Sequence, residues 1–178
     1  MTYAMERAFA NVNSSTVKAM VDSWFASHMT VDYLEDTIWC NDKNYVYGGF
    51  FGRQSPYYIP FNDRQSLLSC PNMSRDGYSV STESGGNGTL TYPVGLLTYS
   101  EYALAGNFSY LTTGEEWLTM SPSHIDFFGN VFSISASGSQ STVGTWKEAG
   151  VRPVVSLKHD IKVKSGDGTV SSPYELEL

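Results

Sequence analysis

The sequence predicts an α+β fold: two helices packed on a twisted antiparallel sheet with long irregular loops. Three observations carry this reading. Residues 14–29 repeat apolar side chains at helical spacing. Residues 132–137 alternate apolar and hydroxyl side chains at strand spacing. Between them lie runs of Gly, Pro and aromatic residues that fit neither period. The 178 residues suffice for one domain with its own core. Twelve Tyr, nine Phe and four Trp supply large rigid side chains of the kind that strands favour.

The first clear element is an amphipathic helix over 14–29. Val17, Met20, Val21, Trp24, Phe25 and His28 or Met29 fall on one face, and Ser14 or Ser15 suits the N-cap. A shorter helical turn is expected around residues 3–10. From Tyr33 to about Leu90 the pattern is irregular, with GGFFGRQSPYYIPFNDR reading as loops and short strands and TESGGNGTLTYP as a turn cluster. VGLL reads as a buried strand. Thr98-Tyr99-Ser100-Glu101 is a capping box that opens a second, short helix, with Gly106 as its stop.

The remainder reads as antiparallel sheet. EEWLTMSP is a strand that starts near Trp117 and ends at its Pro. NVFSISASG is a half-buried strand, with Phe132, Ile134 and Ala136 inward and Ser133, Ser135 and Ser137 outward. Gly138-Ser139 turns the chain, STVGTWK returns, and GVRPVVSL runs as a buried strand. The tail from 159 to 178 reads as an extension: a strand, a Gly-Asp-Gly turn and a final edge segment.

Charge narrows the function. Eighteen acids against eleven bases give a net charge of −7, which argues against nucleic acid and anionic membrane surfaces. No window approaches a membrane span, and MTYAMERAFANVNSS lacks the apolar core of a signal peptide. Cys40 and Cys70 fit neither CxxC nor a zinc pattern. They are read as a disulfide in an exported protein or as two buried thiols in a cytosolic one. Their polar surroundings, WCNDKN and LSCPNM, favour the disulfide.

At this point the motifs resemble a known superfamily. LLTYSEYALAG is similar to the second helix of formylglycine-generating-enzyme-like domains, and GVRPVVSL to their closing strand, which implies the C-type-lectin-like fold. The whole chain more closely resembles an uncharacterised bacterial family. The resemblance rests on STVKAMVDSWF, LEDTIWCND, CPN, YLTTGEEWLTMSP and GVRPVVSLK followed by SGDGTVSSPY. It covers nearly all of residues 1–178 as one domain. It implies an extracellular or cell-surface location, with pilus association, as in surface proteins of Gram-positive bacteria.

The chemistry of an enzyme is not evident. Residues 71–178 contain no Cys, so the cysteine pair of formylglycine-generating enzymes is not carried over. His28, His124 and His159 are scattered, there is no GxSxG elbow, and Glu35-Asp36 and Glu115-Glu116 are sequence neighbours that point apart. The calcium triplets of sugar-binding members are missing, so no metal and no cofactor is implied. Asp167 reads as a turn residue, the sequons at Asn13, Asn72, Asn87 and Asn107 as chance, and Trp24 and Trp117 as core rings. Arg152 needs a carboxylate or carbonyl partner and reads as structural.

The expectation is therefore a non-enzymatic, adhesin-like module that binds a protein or glycan ligand. The alternatives are a pilin-like subunit that contacts other pilus or surface subunits, and a sulfatase-modifying-type enzyme. Ligand residues are expected in the loops between late strands, where a rigid scaffold leaves side chains free to contact partners. These are His124, Asp126, Phe127 and Phe128 in SHIDFFGN, and Gln140 and Trp146 in SGSQSTVGTW. At least one of Phe127 and Phe128 is expected to be exposed beside His124 and Asp126, on the face of Gln140 and Trp146.

Overall fold

A computed structural model describes residues 15–41, 45–50, 53–58, 70, 73–105, 111–125, 129–169 and 171–177. The helical turn expected near residues 3–10 lies outside them. Helix α1 spans Thr16–His28, and Ser15 caps it by accepting from the Lys18 N–H at 3.0 Å. Its buried stripe is Val21 and Phe25, flanked by half-buried Val17 and Trp24. Met20, placed on that stripe by its spacing, is 55% exposed. Residues 21 and 25 are one turn apart and define the stripe's axis, and Met20 falls off its edge.

Short elements follow: β1 (Trp39–Cys40), β2 (Tyr45–Phe50), β3 (Arg53–Tyr58), the single turn α2 (Met73–Asp76) and β4 (Gly77–Tyr78). Helix α3 (Tyr99–Ala105) then precedes β5 (Trp117–Ile125), β6 (Gly129–Ile134) and β7 (Gln140–Gly144). The tail forms a two-stranded pair, β8 (Lys162–Ser165) with β9 (Glu175–Glu177). The chain is thus an α+β protein. Its largest sheet has the order β2-β3-β5-β6-β7, antiparallel throughout. β1 and β4 form a second small sheet.

β5 and β6 separate two apolar clusters. On one face Val21 and Phe25 of α1 meet Leu34, Val94 and Leu96, with Leu118, Met120, Val151 and Val155 packed against them. On the other face Tyr99 and Tyr102 of α3 meet Trp117, Phe132 and Ile134. Alternation along β5 explains the split, because Trp117 and Leu118 point to opposite sides. Thr119 and Ser121 share the α3 face, and both are buried. Their small side chains let the helix N-terminus approach the sheet, where the Tyr99 N–H donates to Ser121 Oγ at 2.9 Å.

Covering both faces changes the expected pattern of β6. Phe132 and Ile134 are buried as expected, but Ser133, expected outward, is fully buried too. Its hydroxyl donates to Glu116 Oε1 at 2.6 Å, which satisfies it under the α1 side. Pro122 does not end β5: it sits opposite Val131 between two register shifts, where a bulge tolerates a residue without an N–H.

Two expected strands are isolated bridges instead. The VGLL segment joins the 150–158 segment only where Gly95 and Val154 exchange backbone hydrogen bonds of 3.0 and 2.9 Å. GVRPVVSL meets β5 through Gly150, which donates to Glu116 O and accepts from the Leu118 N–H. Pro153 has no N–H to extend either ladder. Any side chain at Gly150 would press on the Glu116 carbonyl at 3.1 Å.

The capping box is formed as expected. The Thr98 N–H donates to Glu101 Oε2 at 2.7 Å and the Glu101 N–H to Thr98 Oγ1 at 3.1 Å. Cys40 and Cys70 are bonded, with Cα atoms 5.4 Å apart, so the thiol alternative falls. No helix among the described residues is long and apolar enough to cross a membrane.

Candidate functional site

β7 is an outer strand of the large sheet among the described residues. Its alternation puts Gln140, Thr142 and Gly144 on one face. That face is the one α3 covers further in, since the Tyr99 hydroxyl approaches Gln140 Oε1 at 3.4 Å. Burial, and then the neighbouring Tyr102, hold the Tyr99 phenol above its usual pKa, so it acts as a neutral donor. Gln140 and Thr142 remain exposed beside this contact.

Trp146 completes this ledge. The chain turns just after β7, with the Thr145 N–H donating to Gly129 O and the Lys147 N–H to Gly144 O. The turn folds the indole back over Gly144. A methyl group on Gly144 would stand 2.2 Å from the ring, so only glycine admits it there. The ring hides Gly144 from solvent, yet Trp146 itself stays 58% exposed. One side of the indole therefore rests on the Gly144 backbone. Asn130 lies opposite Gly144 on β6, on the same face.

The ledge consists of an aromatic surface, two amides and a hydroxyl, and none of these groups ionises. It can stack an apolar surface and exchange hydrogen bonds with neighbouring polar groups. The sequence points to Gln140 and Trp146 but misses Asn130, Thr142 and the seat at Gly144. The signal for the seat is the Gly-Thr-Trp run at a strand end, where a missing side chain two residues back leaves room for the ring.

The other expected site residues stand differently. His124 is in β5, where its backbone pairs with Tyr57 and joins β3 to β5. Asp126, Phe127 and Phe128 lie outside the described residues, as does the expected exposure of one Phe ring. Ile125 and Gly129 pair across β5 and β6, and Gly129 O accepts from the Thr145 N–H. Gln140 occupies the opposite end of β7, next to the Gly138 turn.

Groups that sequence reading weighed for chemistry hold structural positions. Asp36 accepts the Val80 and Ser81 N–H groups at 2.8 Å each and pins the 79–90 turn cluster. His28 stacks on Trp24 at 5.8 Å and donates through Nδ1 to the Trp24 carbonyl. Asp167 accepts from Thr169 through both N–H and hydroxyl, and those bonds hold its carboxyl below the usual range. Asn87 likewise bonds Thr89 within a turn. Asn13, Asn72 and Asn107 lie outside the described residues. Among the described residues no three His, Cys, Asp or Glu side chains gather as a metal site.

Comparison of the chain with models of protein families, with curated proteins and with solved structures finds no match.

Proposed function

We propose that this chain is a non-enzymatic binding module with a C-type-lectin-like fold, displayed on a bacterial cell surface or pilus. Its element order supports the fold: an amphipathic helix, a short capped helix, the β5–β7 meander, and a closing segment held beside β5 through Gly150. The disulfide between Cys40 and Cys70 supports an oxidising location. The resemblance to the surface-protein family rests on the motifs quoted above.

The observation that carries the function is the exposed indole of Trp146 seated on Gly144. A large, partly exposed ring fixed against backbone at a strand end offers contact area at little entropic cost, which is how binding surfaces use Trp. The ligand-binding surface is accordingly the outer ledge of β7, with Trp146, Gln140 and Thr142 as its exposed members. An array of glycans and bacterial or host surface proteins tests this reading. Trp146→Ala is expected to lose the hits of the native chain while keeping its circular dichroism. Hits retained in full by that variant would sink the assignment.

A further inference from the structure

The terminal hairpin carries a surface that owes nothing to the β7 residues. β8 and β9 form a two-stranded sheet of their own. All four residues of β8 are exposed, as are Glu175 and Glu177 of β9. Two uncovered strands are marginal in water, and a third strand is what makes such a sheet stable. Among the described residues no strand lies on the outer side of β8, so its outward N–H and C=O groups can receive one.

The side chains specify the strand that fits. The register pairs Lys162 with Glu177 and Val163 with Leu176, then shifts to set Ser165 against Glu175. The Ser165 hydroxyl donates to Glu175 Oε2 at 2.7 Å, and Lys164 Nζ lies 3.9 Å from the same oxygen. One face therefore carries the two lysines and two glutamates, and the other carries Val163, 54% exposed, beside Leu176. The Lys164–Glu175 side chains are 67% and 66% exposed, so the pair is weak and leaves the ammonium able to meet a second carboxylate. Glu-Leu-Glu is thus the pattern β8 accepts on its inner side. The same pattern on the outer side repeats both matches, acid to lysine and apolar to Val163. We propose that β8 is a docking edge for an extended acidic segment of a partner protein, with acids at alternate positions and apolar residues between them, added as a third strand.

Neighbouring charges leave the edge basic. From residue 158 to 165 three lysines stand against one acid, Asp160, in a chain of net charge −7. Lys158 donates to the Asp32 carbonyl, and the Asp167 carboxyl is held in the turn by Thr169. Screening over about 8 Å at physiological salt limits the reach of more distant acids. A second copy does not fit. Antiparallel β8 against β8 sets lysine beside lysine, and β9 against β9 sets Glu beside Glu. Arrangements that turn one copy over set its charged face beside the other's apolar face. Antiparallel β8 against the β9 of another copy spaces the copies by two strands, about 10 Å. A compact chain of this length is about 40 Å across.

Fluorescein-labelled peptides of sequence TELEVET and TKLKVKT test the proposal by anisotropy against the disulfide-bonded chain. TELEVET is expected to bind saturably, with TKLKVKT silent. N-methylation of alternate TELEVET residues along one edge keeps the charge but blocks a strand ladder, and should weaken binding by about tenfold or more on each edge tried. Reversing the hairpin with Lys162→Glu, Lys164→Glu, Glu175→Lys and Glu177→Lys preserves its cross-strand pairs and inverts the edge. That chain should bind TKLKVKT and refuse TELEVET, which separates the effect from misfolding. The proposal is overturned if TELEVET does not bind, if N-methylation leaves its affinity unchanged, or if the reversed chain keeps the native preference. The native chain alone should sediment as a monomer. An oligomer that Lys162→Glu with Lys164→Glu dissolves would make a second copy the occupant and overturn the acidic partner.

Discussion

The guanidinium of Arg152 lies over the Trp117 ring, 5.1 Å from its centroid, and both side chains donate to the carbonyl of Leu111. Arg152 Nη1 reaches it at 2.6 Å and Trp117 Nε1 at 3.1 Å. One carbonyl oxygen thus ties the closing segment and the start of β5 to the chain after α3. The carbonyl alternative for the Arg152 partner is the one the fold adopts.

Arg152→Ala should cost about 2–3 kcal/mol, because it removes a charged hydrogen bond and a cation–π contact together. Arg152→Lys should recover only part of this, since an ammonium lacks the planar stacking surface. Urea denaturation of the two variants checks the order. Full recovery by Lys would show that the charge alone matters.

Phe25→Ala should destabilise the fold by about 3–5 kcal/mol. The ring is 1% exposed and stacks on Tyr92 at 4.8 Å. Trp24→Ala, at a half-buried ring, should cost less, and Met20→Ala, at the exposed margin, under about 0.5 kcal/mol. Denaturation midpoints ranked in any other order would contradict the helix orientation.

Breaking the disulfide by replacing Cys40 and Cys70 with Ser should lower stability by about 3–4 kcal/mol in the chain-entropy model. The bridge closes a sequence separation of 30 residues. Mass spectrometry of the unreduced protein should find no alkylatable thiol.

Alkaline pH should destabilise the protein through Tyr78. Burial, reinforced by the charge of Asp76 and opposed by a hydrogen bond to Asn41, raises its phenol from 10.0 to about 12. The raised pKa means that the unfolded chain loses this proton first. Its contribution is complete below pH 10 and is lost as pH rises toward about 12. Tyr78→Phe should flatten stability against pH in that window relative to the native chain.

Thr98→Ala should cost about 1 kcal/mol by removing one half of the capping box. Native-state hydrogen exchange of the α3 amides should accelerate more than that of β6. An equal change in both would mean that the cap serves the whole fold and not the helix end.

Much of the local structure was legible. Ser15, the Thr98–Glu101 box, the Gly138 turn and the Asp167 turn each act within four residues, so the sequence carries both partners of every interaction. Trp146 is exposed, but its seat on Gly144, only two residues away, was not read from the sequence. β2 and β3 fall in and beside the stretch read as loops and short strands, but their pairing as a hairpin was not legible, because that Gly- and Pro-rich stretch has no period-2 alternation.

What the sequence by itself determined is the set of pieces: the α1 stripe, the capped α3, the hairpin that turns at Gly138, and the acidic balance of the chain. Tertiary structure alone decided how they are covered. β6 became buried on both faces because α1 and α3 pack on opposite sides, which no alternation within the strand announces. The partner of Arg152 came from 41 residues away, and Cys40 met Cys70 across a long irregular stretch. The ledge on β7 lies where Gln140 and Thr142 stay exposed beside the face that Tyr99 and Tyr102 of α3 cover. Burial depends on where other elements end, and that information lies between segments and not within them.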